Sequence, residues 1–289
     1  MQASRDVSLI VPALPALPVL WRDDHLIAIH KPAGWLVHRT GLDAGETRFV
    51  VQTLRDQLGG QHVHPVHRLD KGTCGVLLLA MHVPAARAMS ELIASHAVHK
   101  RYLALVRGWA PEAVQVDHAL RPDDAPPDAP AQDARTHLRR LACFERDEAF
   151  DPRHAATRTS LVEALPVTGR RHQIRRHLKH LAHPILGDAT HGKGPLNRWW
   201  AQRLGLQRLW LHAQSLAFTH PLTGEPVVID SGLRWDGARF VAATPQQAPS
   251  LADWLRLPGA LGRIDGRVAS PLAGAVTSGG QTPDNARPT

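Results

Sequence analysis

The stretch PVHRLDKGTCGVLLLAM, residues 65–81, determines how the rest of the sequence is interpreted. It places His67, Arg68 and Asp70 directly before a turn of small residues, and an unbroken apolar run follows at residues 76–81. An apolar run of this length is typical of a buried strand. The charged residues therefore stand at the entrance of a core strand, either as an ordinary surface ion pair or as groups held there for chemistry.

The composition predicts a large, basic, globular protein. The chain has 289 residues, of which 43% are hydrophobic, and this is enough for one large domain or two lobes. The formal net charge is +8 and the pI is about 10.4. This balance favours a polyanionic partner, nucleic acid before an anionic membrane, although a basic protein without such a partner would have the same composition.

Cysteine usage and hydropathy predict a cytoplasmic protein. The chain has two cysteines, Cys74 and Cys143, and no CxxC pair, which is typical of a reducing compartment. The first 21 residues lack the basic-then-apolar order of a signal peptide. No run approaches the roughly 18 apolar residues of a membrane span, so no membrane association is predicted.

The composition divides the chain into a large middle part and two weaker ends. Residues 1–18, rich in Pro and Ala, are predicted to form a flexible arm, and residues 19–244 to form the main domain. Residues 245–289 carry six Pro and six Gly, so most of this tail is predicted to be disordered, with one short docked segment at Trp254. An acidic, proline-rich loop, RPDDAPPDAPAQDA at residues 121–134, interrupts the domain.

The middle of the chain mixes strand and helix patterns without regular crossover helices. Strand patterns cover residues 26–29, 76–81, 100–106, 138–144, 160–165, 209–218 and 226–229, and helix patterns start at Pro84 and cover residues 171–183. The segment 100–106 alternates as a half-buried strand would. Together these patterns predict an α+β fold with a mixed, mostly antiparallel sheet flanked by helices and loops.

Tyr102, in KRYLALVRG, is the only tyrosine of the chain. It shares one face of its strand with Ala104 and Val106. It is either a core aromatic with a satisfied hydroxyl, or a ring in a pocket wall that stacks on a base or handles a proton.

The most basic stretch is VTGRRHQIRRHLKHLAH, residues 167–183, which contains no acid. Its basic side chains, histidines aside, are Arg170, Arg171, Arg175, Arg176 and Lys179. On a helix, Arg171, Arg175 and Lys179 follow one flank, while Ile174 faces the core. The flank is either a solvated basic face or a strip that contacts phosphates.

The motifs predict neither a metal nor a nucleotide cofactor. His172, His177, His180 and His183 are spaced by five, three and three residues, with no HExxH motif and no acid on the helix. The chain also lacks GxxxxGK[ST] and GxGxxG loops for nucleotide phosphates.

HRLDKGTCGVLLLA resembles the catalytic motif of the RluA-type pseudouridine synthases, usually written HRLDxxTSG. Three further stretches resemble motifs of that family in the same order. They are DDHLIAIHKPAGWLVH (residues 23–38), KRYLALVRGW (100–109) and TGRRHQIRRHLKHLAHPILGDATHG (168–192). Four motifs in order, spread over residues 20–235, are far more specific than any one of them.

Within that family, the chain is most similar to the branch that modifies uridine 65 of tRNA. The similarity is carried by GWLVHRTGLD (residues 34–43), VVQTLRDQLG (50–59) and GLQRLWLHAQSLAFTHPLTGEP (205–226). The expected absence of a separate basic RNA-binding domain before the catalytic region also fits that branch.

The resemblance implies a pseudouridine synthase fold with a central catalytic cleft, and isomerisation of uridine to pseudouridine in tRNA without a cofactor. Asp70 matches the family's catalytic aspartate, Tyr102 its active-site tyrosine, and Arg175 the arginine that pairs with the aspartate. Arg68 matches the arginine of HRLD, which helps hold the place of the flipped-out nucleotide in the RNA. The residues expected to contact RNA are Arg68, Arg170, Arg171, Arg176 and Lys179.

One residue departs from the family's motif: Cys74 stands where Ser is common. It is expected to pack as a small buried residue, since the apolar run after it disfavours a thiolate. Two alternatives stay open, namely a synthase acting on ribosomal RNA or another tRNA uridine, and an RNA-binding relative that has lost catalysis. No obligatory protein partner is predicted.

Overall fold

The computed structural model describes residues 15–39, 45–126 and 128–265, which form thirteen strands and six helices. The strands are β1 (Val19–Arg22), β2 (Leu26–Lys31), β3 (His64–Pro65), β4 (Cys74–Ala80), β5 (His99–Arg107), β6 (Ala113–Asp117), β7 (Arg135–Arg146), β8 (Thr157–Pro166), β9 (Leu211–Thr219), β10 (Pro226–Asp230), β11 (Leu233–Trp235), β12 (Phe240–Ala242) and β13 (Arg263–Asp265). The helices are α1 (Val50–Gln57), α2 (Val83–Ala94), α3 (Gln173–His180), α4 (Gly194–Leu204), α5 (Ala248–Leu255) and α6 (Pro258–Leu261).

Eleven of these strands form one sheet, and β11 and β12 form a separate hairpin. The main path of the sheet runs β1-β2-β4-β9-β5-β8-β7-β13, and β3, β6 and β10 pair with β4, β7 and β9. The named strands pair antiparallel except for β4 and β9, which run parallel. The predicted α+β fold with a mixed, mostly antiparallel sheet is therefore confirmed.

The strand β4 is buried along its whole length because both faces of the sheet are covered. Leu77 and Leu79 pack into the larger core cluster. Val76 and Leu78 face the other side, where Met89 of α2 covers them. Each fully buried aliphatic side chain stabilises the fold by about 1.5–3 kcal/mol, so β4 is a firm base for the segment before it.

Gly75 allows the start of β4 to lie against β9. Its φ is +108°, and a Cβ atom there would sit 2.1 Å from the carbonyl oxygen of Ala213 in the parallel partner strand. Any side chain would therefore push the two strands apart. This close approach fixes the residues just before β4 relative to β9.

The strand β5 is a central strand, and the prediction of a half-buried strand at residues 100–106 is wrong. It pairs with β9 on one side and with β8 on the other, and residues 102–106 are all buried. Residues of both faces of β5 belong to the larger core cluster, so the alternation of small and large apolar residues does not mark an exposed face.

The helix predicted over residues 171–183 is shorter than expected, with eight residues in α3. His172 precedes it in the left-handed conformation, with φ of 55°. Gln173 Nε2 donates to Thr136 Oγ1 at 3.0 Å, and His177 Nδ1 lies 2.9 Å from the same hydroxyl. These bonds to β7 fix the helix against the sheet.

The prediction that residues 245–289 are mostly disordered is wrong for residues 248–265, which contain α5, α6 and β13. Leu251, Trp254, Leu257 and Leu261 are each at most 3% exposed and belong to the larger core cluster. The docked segment expected at Trp254 is therefore present and longer than expected. These apolar residues recur every three or four positions, which is the period of a helix with one buried face. Residues 266–289 lie outside the described part of the chain.

The N-terminal arm predicted at residues 1–18 is anchored at its end. Leu17 is 1% exposed, and its backbone N and O bond to the side-chain amide of Gln57 at 2.9 and 3.0 Å. Residues 1–14 lie outside the described residues. Among the helices that the structure describes, none is long and apolar enough to cross a membrane.

Candidate active site

Asp70 lies in the segment between β3 and β4, and the backbone on both sides of it is fixed. The ring Nε2 of His67 accepts a hydrogen bond from the backbone N–H of Leu78 in β4 at 3.0 Å. Burial lowers the pKa of His67 to about 4, so the ring is neutral and able to accept. The N–H of Thr73 donates to the carbonyl of Asp70 at 3.0 Å, which closes a turn.

Lys31, the last residue of β2, forms hydrogen bonds to the backbone of the turn after Asp70. Its side chain is fully buried, and Nζ donates to the carbonyls of Pro32, Lys71 and Thr73 at 3.0, 3.2 and 2.7 Å. Burial lowers the pKa of Lys31 to about 7. With its three N–H groups directed at three carbonyls, the Lys31 ammonium holds the loop in one conformation, and so it restricts where the Asp70 carboxylate can point.

The carboxylate of Asp70 receives one arm of a guanidinium that a second carboxylate holds. Arg175 Nη1 donates to Asp70 Oδ2 at 2.9 Å, while its Nε and Nη2 donate to the two oxygens of Asp188 at 2.8 Å each. Burial opposes the charge of Arg175, but the bonds to Asp188 and Asp70 outweigh it and raise the pKa of the guanidinium. The bidentate contact with Asp188 fixes the plane of Arg175, and so it aims the remaining arm at Asp70.

Asp188 is itself preorganised by its own loop. Its carboxylate accepts from the backbone N–H groups of Thr190 and His191 at 3.0 and 2.9 Å, and Asn197 Nδ2 donates to its carbonyl at 2.8 Å. Burial alone would raise the pKa of Asp188, but the Arg175 contact and these backbone bonds outweigh it and lower the pKa. Asp188 therefore stays charged and serves as the fixed anchor of the pair.

A cleft of about 250 Å³ opens beside Asp70, between the segment before β4, the strand β5 and the start of α3. Tyr102 lines it together with Lys100, Ile93 and Gln173. Burial, followed by the charge of Asp70, raises the pKa of Tyr102, so its hydroxyl stays protonated. The cleft thus brings an aromatic side chain and a carboxylate to one cavity.

The five residues predicted to contact RNA lie in two different environments. Arg68 is exposed at the mouth of the cleft, and Lys179 is exposed further along α3. The other three contact the acidic loop at residues 121–134: Arg170 donates to the carbonyl of Asp133, and Arg171 and Arg176 meet side chains of the same loop. Arg175 does not share their flank, since it is turned inward and only 7% exposed.

One group of side chains has the composition of a metal site. Ligand atoms of Asp123, His172 and His191 all lie within 4.8 Å of one another. However, the Asp123 carboxylate already lies 3.3 Å from Arg176 Nη1 and 3.8 Å from Arg171 Nε. A cation placed there would be repelled by these guanidinium groups, so the electrostatics favour an anion over a metal ion.

Cys74 is a small buried residue, as expected, at 3% exposure in the larger core cluster, but it also has charged and polar neighbours. Its Sγ receives Arg208 Nη2 at 2.8 Å and lies 3.2 Å from His212 Nδ1. Burial opposes a thiolate, but Arg208 and His30 outweigh it and lower the pKa of Cys74. Arg208 Nη1 also donates to Asp253 of α5 at 2.7 Å, so this cluster connects the start of β4 to the C-terminal helices.

Sequence reasoning missed the residues that hold the site in place, namely Lys31, Asp188 and Arg208. Two of them lie within stretches already recognised as motifs, since Lys31 belongs to HKPAG and Asp188 to PILGDATHG. The local sequence pattern does not predict that either side chain contacts the segment around Asp70 or its partner Arg175. A charged residue beside an apolar run was the only local signal.

Asp70, Tyr102 and Arg175 thus lie on one cleft of this fold, and sequence comparison identifies the class of protein. A family model described as RNA pseudouridylate synthase matches residues 25–180. The chain belongs to the RNA pseudouridylate synthase family. This confirms the resemblance seen in the four motifs.

Curated relatives narrow the similarity further. The chain is 47% identical over 230 residues to the tRNA pseudouridine synthase C of Vibrio cholerae, covering 76% of this chain and 93% of that protein. It is 48% identical over 221 residues to the tRNA pseudouridine synthase C of Haemophilus ducreyi, covering 74% and 90%.

Solved structures agree with the fold. The human RNA Pseudouridylate Synthase Domain Containing 4 matches with a TM-score of 0.56 and 27% identity, covering 82% of this chain and 92% of that one. The human RNA Pseudouridylate Synthase Domain Containing 1 matches with a TM-score of 0.59 and 24% identity, covering 81% and 87%.

Proposed function

We propose that this protein isomerises uridine to pseudouridine in tRNA, at position 65, with Asp70 as the catalytic carboxylate and no cofactor. The observation that carries this proposal is the contact between Asp70 and Arg175 at the cleft, with Arg175 fixed by the buried Asp188. The curated relatives named tRNA pseudouridine synthase C support tRNA as the substrate. A tRNA substrate in turn supports the cytoplasm as the place of action.

The reaction needs little more than an aimed carboxylate and a pocket for a base. The N1–C1′ bond of uridine breaks, C5 bonds to C1′, the C5 proton leaves and N1 gains a proton. Neither a redox equivalent nor a water molecule is consumed. Asp70 acts on the ribose, either as a nucleophile at C1′ or as a base at C2′, and both roles require a carboxylate held in one direction.

Tyr102 and Arg175 have separate roles in this proposal. In this proposal the flipped uracil stacks on the buried ring of Tyr102, which lines the cleft. Arg175 stabilises the charge of Asp70 and sets its orientation. Arg68, exposed at the mouth of the cleft, takes the place that the base leaves in the RNA.

The proposal is tested by the release of tritium from tRNA transcripts labelled with 5-³H-uridine. The protein should release one tritium per tRNA, and a transcript in which only uridine 65 is replaced by cytidine should release none. Release from ribosomal RNA but not from tRNA would show a sister activity in the same family. Binding of tRNA without release from any RNA would show an inactive relative and would contradict the proposal.

A further inference from the structure

The basic side chains at the edge of the cleft are already paired with an anion of the chain itself. Arg171, His172 and Arg176, here called the outer cluster, surround the carboxylate of Asp123. His172 Nδ1 lies 2.8 Å from Asp123 Oδ2, Arg176 Nη1 lies 3.3 Å from Oδ1, and Arg171 Nε lies 3.8 Å from Oδ2. All three side chains therefore converge on one carboxylate.

Neighbouring groups strengthen this arrangement. Arg171 Nη1 also meets the carboxylate of Asp124 at 3.2 Å, and Arg176 Nη1 donates to the carbonyl of Arg121 at 2.6 Å. The short segment at residues 121–124 thus presents two carboxylates and one carbonyl to the outer cluster. The charges are complementary, since the segment is acidic and the outer cluster contains no acid.

A phosphodiester matches the group that the outer cluster holds. A phosphodiester has two non-bridging oxygens and one negative charge, and a carboxylate likewise has two oxygens and one negative charge. Arginine binds either group through the same N–H donors. The side chains are open to solvent, with Arg171 44%, Arg176 21% and Asp123 28% exposed, so an exchange of partner needs no opening of the core.

The outer cluster also lies at the right place for a substrate phosphate. His172 connects it to the cleft, because its Nε2 is 3.8 Å from Asp70 Oδ1 while its Nδ1 faces Asp123. A phosphate in the position of the Asp123 carboxylate would therefore be separated from Asp70 by one imidazole ring, which is the scale of a single nucleotide.

We propose that the outer cluster is the binding site for a backbone phosphate of the nucleotide in the cleft or of its neighbour, and that Asp123 occupies this site in the free protein as a phosphate mimic. This inference rests on the proposed function, because it requires RNA at the Asp70 cleft. RNA must displace the Asp123 carboxylate to bind, so part of the intrinsic affinity is lost to this internal competitor. RNA that places no phosphate in the outer cluster does not meet this competition.

The test is a comparison of two variants that remove the same charge from the same loop. Asp123→Asn removes the internal competitor. Asp128→Asn removes an exposed carboxylate for which no contact with the outer cluster is observed. Equilibrium binding of a fluorescent tRNA transcript should be about fivefold tighter for Asp123→Asn and within twofold of wild type for Asp128→Asn. Equal effects would show that only net charge matters, and weaker binding by Asp123→Asn would show that Asp123 supports RNA binding; both results overturn the proposal.

A double-mutant cycle keeps the proposal testable if the charge effect is small. Arg176→Ala should weaken tRNA binding more in the Asp123→Asn background than in wild type, because Arg176 is no longer shared with a carboxylate. Equal losses in the two backgrounds would overturn the proposal. Tritium release is measured separately, so loss of the proposed enzymatic function would leave the binding result interpretable.

Discussion

Arg175 and Arg176 are consecutive residues of α3, yet they face different environments. Arg175 is buried between Asp70 and Asp188, while Arg176 lies at the surface against the segment at residues 121–124. Loss of the first would leave two carboxylates without their shared partner, and the partners of the second can turn to water. The comparison teaches that the residue type does not decide the role of an arginine in this helix; the carboxylates that reach it do.

The largest effect is expected at the carboxylate that the inner arginine aims. Asp70→Asn is isosteric and can still accept from Arg175, so the protein should fold and bind tRNA. Turnover should fall by at least about a thousandfold, because neither a nucleophile nor a base remains. Tritium release and filter binding measure the two effects, and turnover within about tenfold of wild type would remove Asp70 from the mechanism.

The second prediction concerns the C-terminal helices α5 and α6, which contribute to stability rather than to the contacts of Arg175. Removal of residues 245–289 should lower the melting temperature by more than about 10 °C, because four buried apolar side chains each contribute about 1.5–3 kcal/mol. Truncation after Asp265 keeps those contacts and is the matched control in differential scanning fluorimetry. An unchanged melting temperature for the longer deletion would restore the prediction of a disordered tail.

Asp188→Asn sharpens the comparison by loosening Arg175 without touching Asp70. The free energy of unfolding should fall by about 3 kcal/mol, because a buried guanidinium loses its charged partner. Turnover should fall about tenfold while the KM for tRNA changes little. Asp117→Asn, which weakens the exposed pair with Arg135, is the control and should lower the free energy of unfolding by less than about 1 kcal/mol. Urea titration measures the free energy of unfolding of both variants. Equal losses would mean that the inner pair is no more than a surface contact.

The smallest effect is expected at the outer cluster. Arg171→Ala should weaken tRNA binding a few-fold and reduce the slope of log K against log salt by about one, because one phosphate contact is lost. Turnover at saturating tRNA should stay at the wild-type rate. A collapse of turnover would place Arg171 with Arg175 and erase the distinction between the two faces.

The sequence was sufficient for the fold class and for β4, because an unbroken apolar run next to HRLD has few alternatives. It was not sufficient for the inner side of α3. Helical spacing groups Arg171, Arg175 and Lys179 on one flank, but a loop thirteen residues further on brings Asp188 under Arg175 alone. Helical periodicity contains no information about a contact made by a later loop, such as that of Asp188 with Arg175.

The prediction for the C-terminal part of the chain failed for a different reason. Its Pro and Gly content, averaged over 45 residues, predicts disorder, and the average hides a helical period at Leu251, Trp254, Leu257 and Leu261. A shorter window would have found this signal. The role of Cys74 could not be found in this way, because Arg208 and His212 reach it from more than 130 positions away.

Arg175→Lys separates the two contributions of the inner arginine. Lysine keeps the charge but cannot bind Asp188 with two parallel bonds while reaching Asp70. Its turnover should therefore lie between those of wild type and Arg175→Ala. Wild-type turnover in this variant would mean that charge alone is needed and that orientation is not.

The central claim, that Arg175 acts through Asp70 while Arg176 acts through RNA affinity, is tested most directly by single-turnover rates of Arg175→Ala and Arg176→Ala at saturating tRNA. The rate of Arg175→Ala should fall by about a hundredfold or more, and that of Arg176→Ala should stay within about twofold of wild type. Equal, near-wild-type rates for both variants would contradict the catalytic pairing of Arg175 with Asp70.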